Sequence, residues 1–204
     1  MGTGNLRERI SGVVSTVLLI LGLVIYNAVR WLIEPSAARE RLSSLGIDKK
    51  KADVDKMIAV AGAQAIRWKS DAGFWSVEIP KLRSDGTVDL SDANVLVEYF
   101  SPSAMSSPRK EVRDDSIRKF NFVGDDMIHG DTWGVSEPYS PAPRATAIPG
   151  CTVKQLAARL GTLGLLRPGS TVHVSIDPAS GDAWRVRAGG VPRQFDLQTC
   201  SEKK

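Results

Sequence analysis

The chain has 204 residues, 42% of them hydrophobic and 25% charged, with a formal net charge of +4. This composition excludes a disordered tail, and the length admits one ordinary domain or two small ones. Two histidines leave little for metal chemistry, and Cys151 and Cys200 are not spaced as a redox pair.

Residues 1–10 read as a short N-terminal tail, in which Leu6 stands where a myristoylation signal needs Ser or Thr. Residues 11–33, SGVVSTVLLILGLVIYNAVRWLI, carry no charge before Arg30. At about 1.5 Å per residue they are long enough to cross a hydrocarbon core of about 30 Å. A transmembrane helix is expected there, with Arg30 and Trp31 as anchors at the membrane interface. The competing reading is a signal peptide cleaved near Ser36-Ala37-Ala38, which the length of the apolar run and the intervening Arg30, Trp31 and Glu34 disfavour. Residues 34–47 then read as a polar stalk, helical or flexible.

Residues 48–133 read as a first α+β unit. Asp53 suits a helix N-cap, and Val54, Met57, Ile58, Ala61, Ala65 and Trp68 fall on one helical face after it. FWSVEI then alternates as a strand, with Trp75, Val77 and Ile79 on one side and Phe74, Ser76 and Glu78 on the other. Asp85-Gly86 marks a hairpin turn, Val95–Phe100 a strand, residues 101–110 a loop and residues 116–123 a further strand. An antiparallel sheet with one covered face follows. GDDMIHGDTW gathers Asp125, Asp126, His129 and Asp131, whose carboxylates could hold a cation. The spacing is not that of a calcium loop, so a polar loop is expected instead.

Residues 134–149 form a Pro-rich linker, and residues 150–204 a second α+β unit. There Val153, Leu156, Ala157 and Leu160 share a helical face and Gly164 is the stop. TVHVSI alternates with His173 outward. Asp177 to Asp182 flank a hairpin turn, after which Trp184 and Val186 point inward and Arg185 and Arg187 outward. QFDLQTC supplies the last strand. Both units run helix, polar turn, strand, which reads as a degenerate duplication. The expected fold class is therefore α+β: a transmembrane helix followed by two small units, each one helix packed on an antiparallel sheet.

Charge separates the units. Residues 48–131 carry 13 Lys/Arg against 15 Asp/Glu, whereas residues 144–204 carry 9 against 4, so the second unit is the basic one. A strict count of cations after residue 33 would leave the C-terminal part in the cytoplasm. Cys151 and Cys200, however, bracket the second unit as a disulfide would in an oxidising compartment, the alternative being two buried thiols. An extracytoplasmic domain is the expectation.

The helix followed by SIDPASGDAWRV, a strand, an Asp-x-x-x-Gly turn and a Trp-bearing strand, resembles PepSY-type modules. The first unit, RWKSDAGFWSVEI with SDGTVDLSDANVLVEYFSPS, resembles uncharacterised membrane-anchored bacterial proteins. The resemblance implies a cystatin-like build, a bacterial inner membrane with the domain in the periplasm, and modulation of peptidases or binding of partners. It implies no catalytic residues. No nucleophile, phosphate-loop, dinucleotide or zinc-protease motif is present. The expected function is thus non-catalytic: an envelope protein that interacts with another envelope protein, tethered to the bilayer through residues 11–33, with no cofactor and no nucleic acid. The alternative is binding of anionic lipid headgroups or acidic envelope polymers through Arg185, Arg187 and Arg193, with Arg159 and Arg167 nearby. An enzyme whose site is assembled only in space is the third option.

Overall fold

The computed structural model describes residues 38–131, 148–176 and 183–203. Ala38–Arg41 (β1) is extended, and the side chain of Asp48 starts a single 3₁₀ turn over Lys49–Lys51. Ala52–Asp53 (β2) leads into Val54–Trp68 (α1), where the Lys56 amide donates to the Asp53 carboxylate at 3.2 Å and caps the helix. Gly73–Arg83 (β3), Thr87–Val88 (β4) and Asn94–Phe100 (β5) follow. Two short helices, Pro102–Met105 (α2) and Lys110–Asp114 (α3), precede Ile117–Val123 (β6) and Asp126–Asp131 (β7). The C-terminal part supplies Val153–Thr162 (α4), Thr171–Ile176 (β8), Ala183–Ala188 (β9), Val191–Asp196 (β10) and Glu202–Lys203 (β11).

Nine of the strands make one antiparallel sheet in the order β1-β7-β6-β5-β3-β8-β9-β10-β11, while β2 and β4 pair separately. The expected fold class is thereby corrected. The chain does not build two small sheets, each under its own helix; it is mostly one large sheet. The reason lies at the centre. The edge of β3 that β5 leaves free is taken by β8, with Val77 opposite Ile176 and Ile79 opposite Val174. All four are at most 1% exposed, so the seam lies in the middle of a single core. Two separate units would each have left such an apolar edge open to water.

No helix among the described residues is long and apolar enough to cross a membrane. The expected span at 11–33, with Arg30 and Trp31, lies outside the described residues, as do the linker up to residue 147 and the turn at 177–182.

The two halves still follow one plan. Each helix precedes a central strand, from which the later strands step outward: β3, β5, β6, β7 one way and β8, β9, β10, β11 the other. The buried residues Val54, Met57, Ile58 and Ala61 of α1 recur 99 positions later as Val153, Leu156, Ala157 and Leu160 of α4. Asp53 and Thr152, the two N-caps, obey the same offset.

Other expectations shift in detail. The segment expected as a stalk contributes β1, which pairs with β7 as Ala38 opposite His129 and Arg41 opposite Asp126. The expected polar loop around Asp126 and His129 is strand β7 itself. In β3 a bulge between Phe74 and Ser76 inserts Trp75 as an extra residue. Phe74 and Val77 therefore both face the core, and Trp75 packs on Phe100 at 4.5 Å instead.

Candidate functional site

Alternation along a strand sends the sequence-predicted residues in different directions. Arg185 lies opposite Ser175 and Gln194, and Arg187 opposite His173, on the outward face of the sheet. Arg193 lies opposite Val186, which is buried, so it stands on the helix-bearing face and pairs with Glu202 at 3.0 Å. Arg159 is on α4, on that same side. Arg185 and Arg187 therefore share a face as their alternation requires, and Arg193 does not join them there. Next to Arg187, His173 Nε2 sits 3.3 Å from the Glu78 carboxylate, so the outward face there is mixed in sign.

Asp126 and His129 are likewise split by the strand period. Asp126 meets Arg41 at 3.3 Å, while the nearly buried His129 lies against Phe120 on the other face. His129 Nδ1 is 3.1 Å from Arg118 Nη2. Because a guanidinium can only donate, Nδ1 accepts, and the ring proton on Nε2 faces Glu40 at 3.5 Å. Gln64 Nε2 donates to the same Glu40 oxygen at 3.0 Å. This network ties β1, β6 and β7 to α1. Among the described residues no group of three or more His, Cys, Asp or Glu converges as metal ligands would.

Cys151 and Cys200 form a disulfide, with Cα atoms 5.3 Å apart. It holds the segment before α4 to the turn between β10 and β11. Cys151 N–H donates to Leu197 O at 2.7 Å, and the buried Trp184 Nε1–H donates to Cys151 O at 3.1 Å.

That clasped segment forms one wall of a feature the sequence reading passed over, an open cavity of about 650 Å³ beside α1. The opposite wall is α1, through Ile58, Ala59, Gly62, Ala63 and Ile66, and Phe74, Tyr99 and Trp184 form the floor. Three large hydrophobics among the described residues are conspicuously exposed, and two of them flank this cavity: Ile66 at 60% on α1 and Ile148 at 69% on the far wall.

The polar groups of the lining are already engaged. Asp55 accepts from Val153 N–H at 2.8 Å and Lys154 N–H at 3.3 Å, an N-cap lent to α4 from another helix. Beside it, burial tends to raise the Asp53 carboxyl. The Lys154 ammonium at 2.7 Å and the Lys56 amide outweigh that and hold it below the usual carboxylate range. Two positive helix ends thus meet here, each met by an aspartate. The Tyr99 hydroxyl donates to Ile58 O at 3.1 Å, and burial pushes its phenol up to about 12. Gly62 makes room for it: a Cβ there would come 2.7 Å from Tyr99 Oη.

The sequence carried a signal for this groove. In AVAGAQAI, residues beside the buried face are also small or apolar, so α1 has a second apolar stripe that its own sheet does not cover. Searches of protein-family models, curated proteins and solved structures find no match to this chain.

Proposed function

We propose that the chain is a non-catalytic interaction module that receives an apolar face of a partner protein in the groove beside α1. One observation carries this reading: an open apolar cavity of ligand-binding size, flanked by two exposed isoleucines, whose polar groups are all occupied with the fold. Strand addition at the sheet edges has less support. β1 is four residues long with Arg39 and Arg41 on it, β11 has two residues, and Pro192 in β10 offers no amide to a further strand. The Cys151–Cys200 disulfide supports an oxidising compartment outside the cytoplasm, and the resemblance to PepSY-type modules points to partner binding there.

The test is saturable binding of an apolar fluorescent dye, anilinonaphthalene sulfonate, at submicromolar protein. One site per chain is expected, lost in Ala63→Glu, which places a charge on the exposed wall, and retained in Arg187→Glu. Loss in Arg187→Glu with retention in Ala63→Glu would replace this reading with the anion-binding one.

A further inference from the structure

The groove reading leaves the partner open, and the residues along α1 restrict it. Resting on that reading, we infer that the partner is a second copy of this chain, packed α1 against α1 in antiparallel fashion.

The uncovered stripe of α1 is large at one end and small at the other. Ile66 projects into solvent near the C-terminal end, and Ala59 and Ala63 are exposed with only a methyl group each. Ala59 and Ile66 are seven residues apart, about 10 Å along the axis. Two such helices running antiparallel about a two-fold axis between Gly62 and Ala63 bring Ile66 of each copy over Ala59 of the other. The same register sets Gly62 against Ala63 twice. One axis therefore sets the exposed Ile66 of each copy over the exposed Ala59 of the other, which is the self-complementarity an isologous interface requires.

Charge agrees with that register. Asp55 lies at the N-terminal end of the groove, and Arg67 is exposed at the C-terminal end of α1. Antiparallel packing places Arg67 opposite Ile58, one helical turn from Asp55 of the other copy, and opposes the two helix dipoles. In this arrangement Ile148, on the far wall, closes over the outer side of the entering helix.

The test is sedimentation velocity on the full chain over a concentration series, with Ala59→Glu/Ala63→Glu as the variant. Both positions are exposed, and circular dichroism of the variant checks that it folds. A concentration-dependent dimer that the variant reduces to monomer, with a midpoint raised at least tenfold, is the expected result. Ala63→Cys lies beside the axis and should form an intermolecular disulfide on mild oxidation, whereas Arg67→Cys, far from it, should not. A wild-type chain that stays monomeric, or a dimer indifferent to the two glutamates, overturns the inference. The dye experiment separates the two levels: a monomer that still binds dye one-to-one at this groove keeps the interaction reading and discards the second copy. A monomer that binds no dye discards both.

Discussion

At the scale of single residues, Asp55, Gly62 and Tyr99 organise the site. Asp55 caps a helix 98 residues away in sequence, through Val153 N–H at 2.8 Å. Asp55→Ala should lower unfolding free energy by about 1–2 kcal/mol, as loss of an N-cap does, read from urea denaturation. Gly62 and Tyr99 are coupled by contact. Gly62→Ala should cost about 1–3 kcal/mol by overpacking, and part of that should vanish in a Tyr99→Phe background, where the obstructing hydroxyl is gone. A double-mutant cycle with no coupling would show that the helix slides aside instead. Acid should act through Asp53, Asp71, Asp85 and Asp196, all held below the usual carboxylate range. A depressed folded-state value means the unfolded chain binds more protons. Their stabilisation is therefore fully present above about pH 4 and is lost as pH falls below it. A melting temperature level from pH 7 to 5 and falling below 4 is the expected profile.

At the scale of elements, the two longer helices, α1 and α4, were legible because their period and caps are local. By contrast α2, at Pro102–Met105, falls in a segment expected as a loop and is too short to show a period. Val54, Met57, Ile58 and Ala61 are buried as their spacing requires, and Asp53 caps as its type suggests. Strand faces were less so. The bulge at Trp75 shifts the alternation by one residue, and no neighbouring turn signal announces it. β7 was hidden because Asp125, Asp126 and Asp131 give it the composition of a loop, while its partner β1 sits 85 or more residues earlier. The disulfide closes a sequence separation of 49 residues, and Cys151→Ser/Cys200→Ser should cost about 4 kcal/mol by loop-closure entropy. Because the bond also fixes the Ile148 wall, the double variant should weaken dye binding at temperatures where the protein is still folded.

At the scale of the whole molecule, the repeated helix-then-strand order was visible in the sequence, but its consequence was not. Nothing local in FWSVEI or TVHVSI states that these two strands pair with each other; only the shared core decides it, through Val77 with Ile176 and Ile79 with Val174. One sheet over one core should unfold in one step. Ile79→Ala should lower that single transition by about 2–5 kcal/mol rather than split it, whereas two calorimetric transitions would indicate two domains. The groove escaped notice for a related reason. Ala59, Gly62, Ala63 and Ile66 become a wall only when Ile148, at the far end of the intervening chain, stands opposite. The three exposed large hydrophobics then allow a direct measurement. Methyl NMR of the full chain over a dilution series should move the Ile66 and Ile148 resonances together and leave Val191, 60% exposed on the β10 edge, unchanged. Static Ile66 and Ile148 methyls, or a Val191 that moves as much as they do, would contradict a second copy of this chain as the occupant of the groove beside α1.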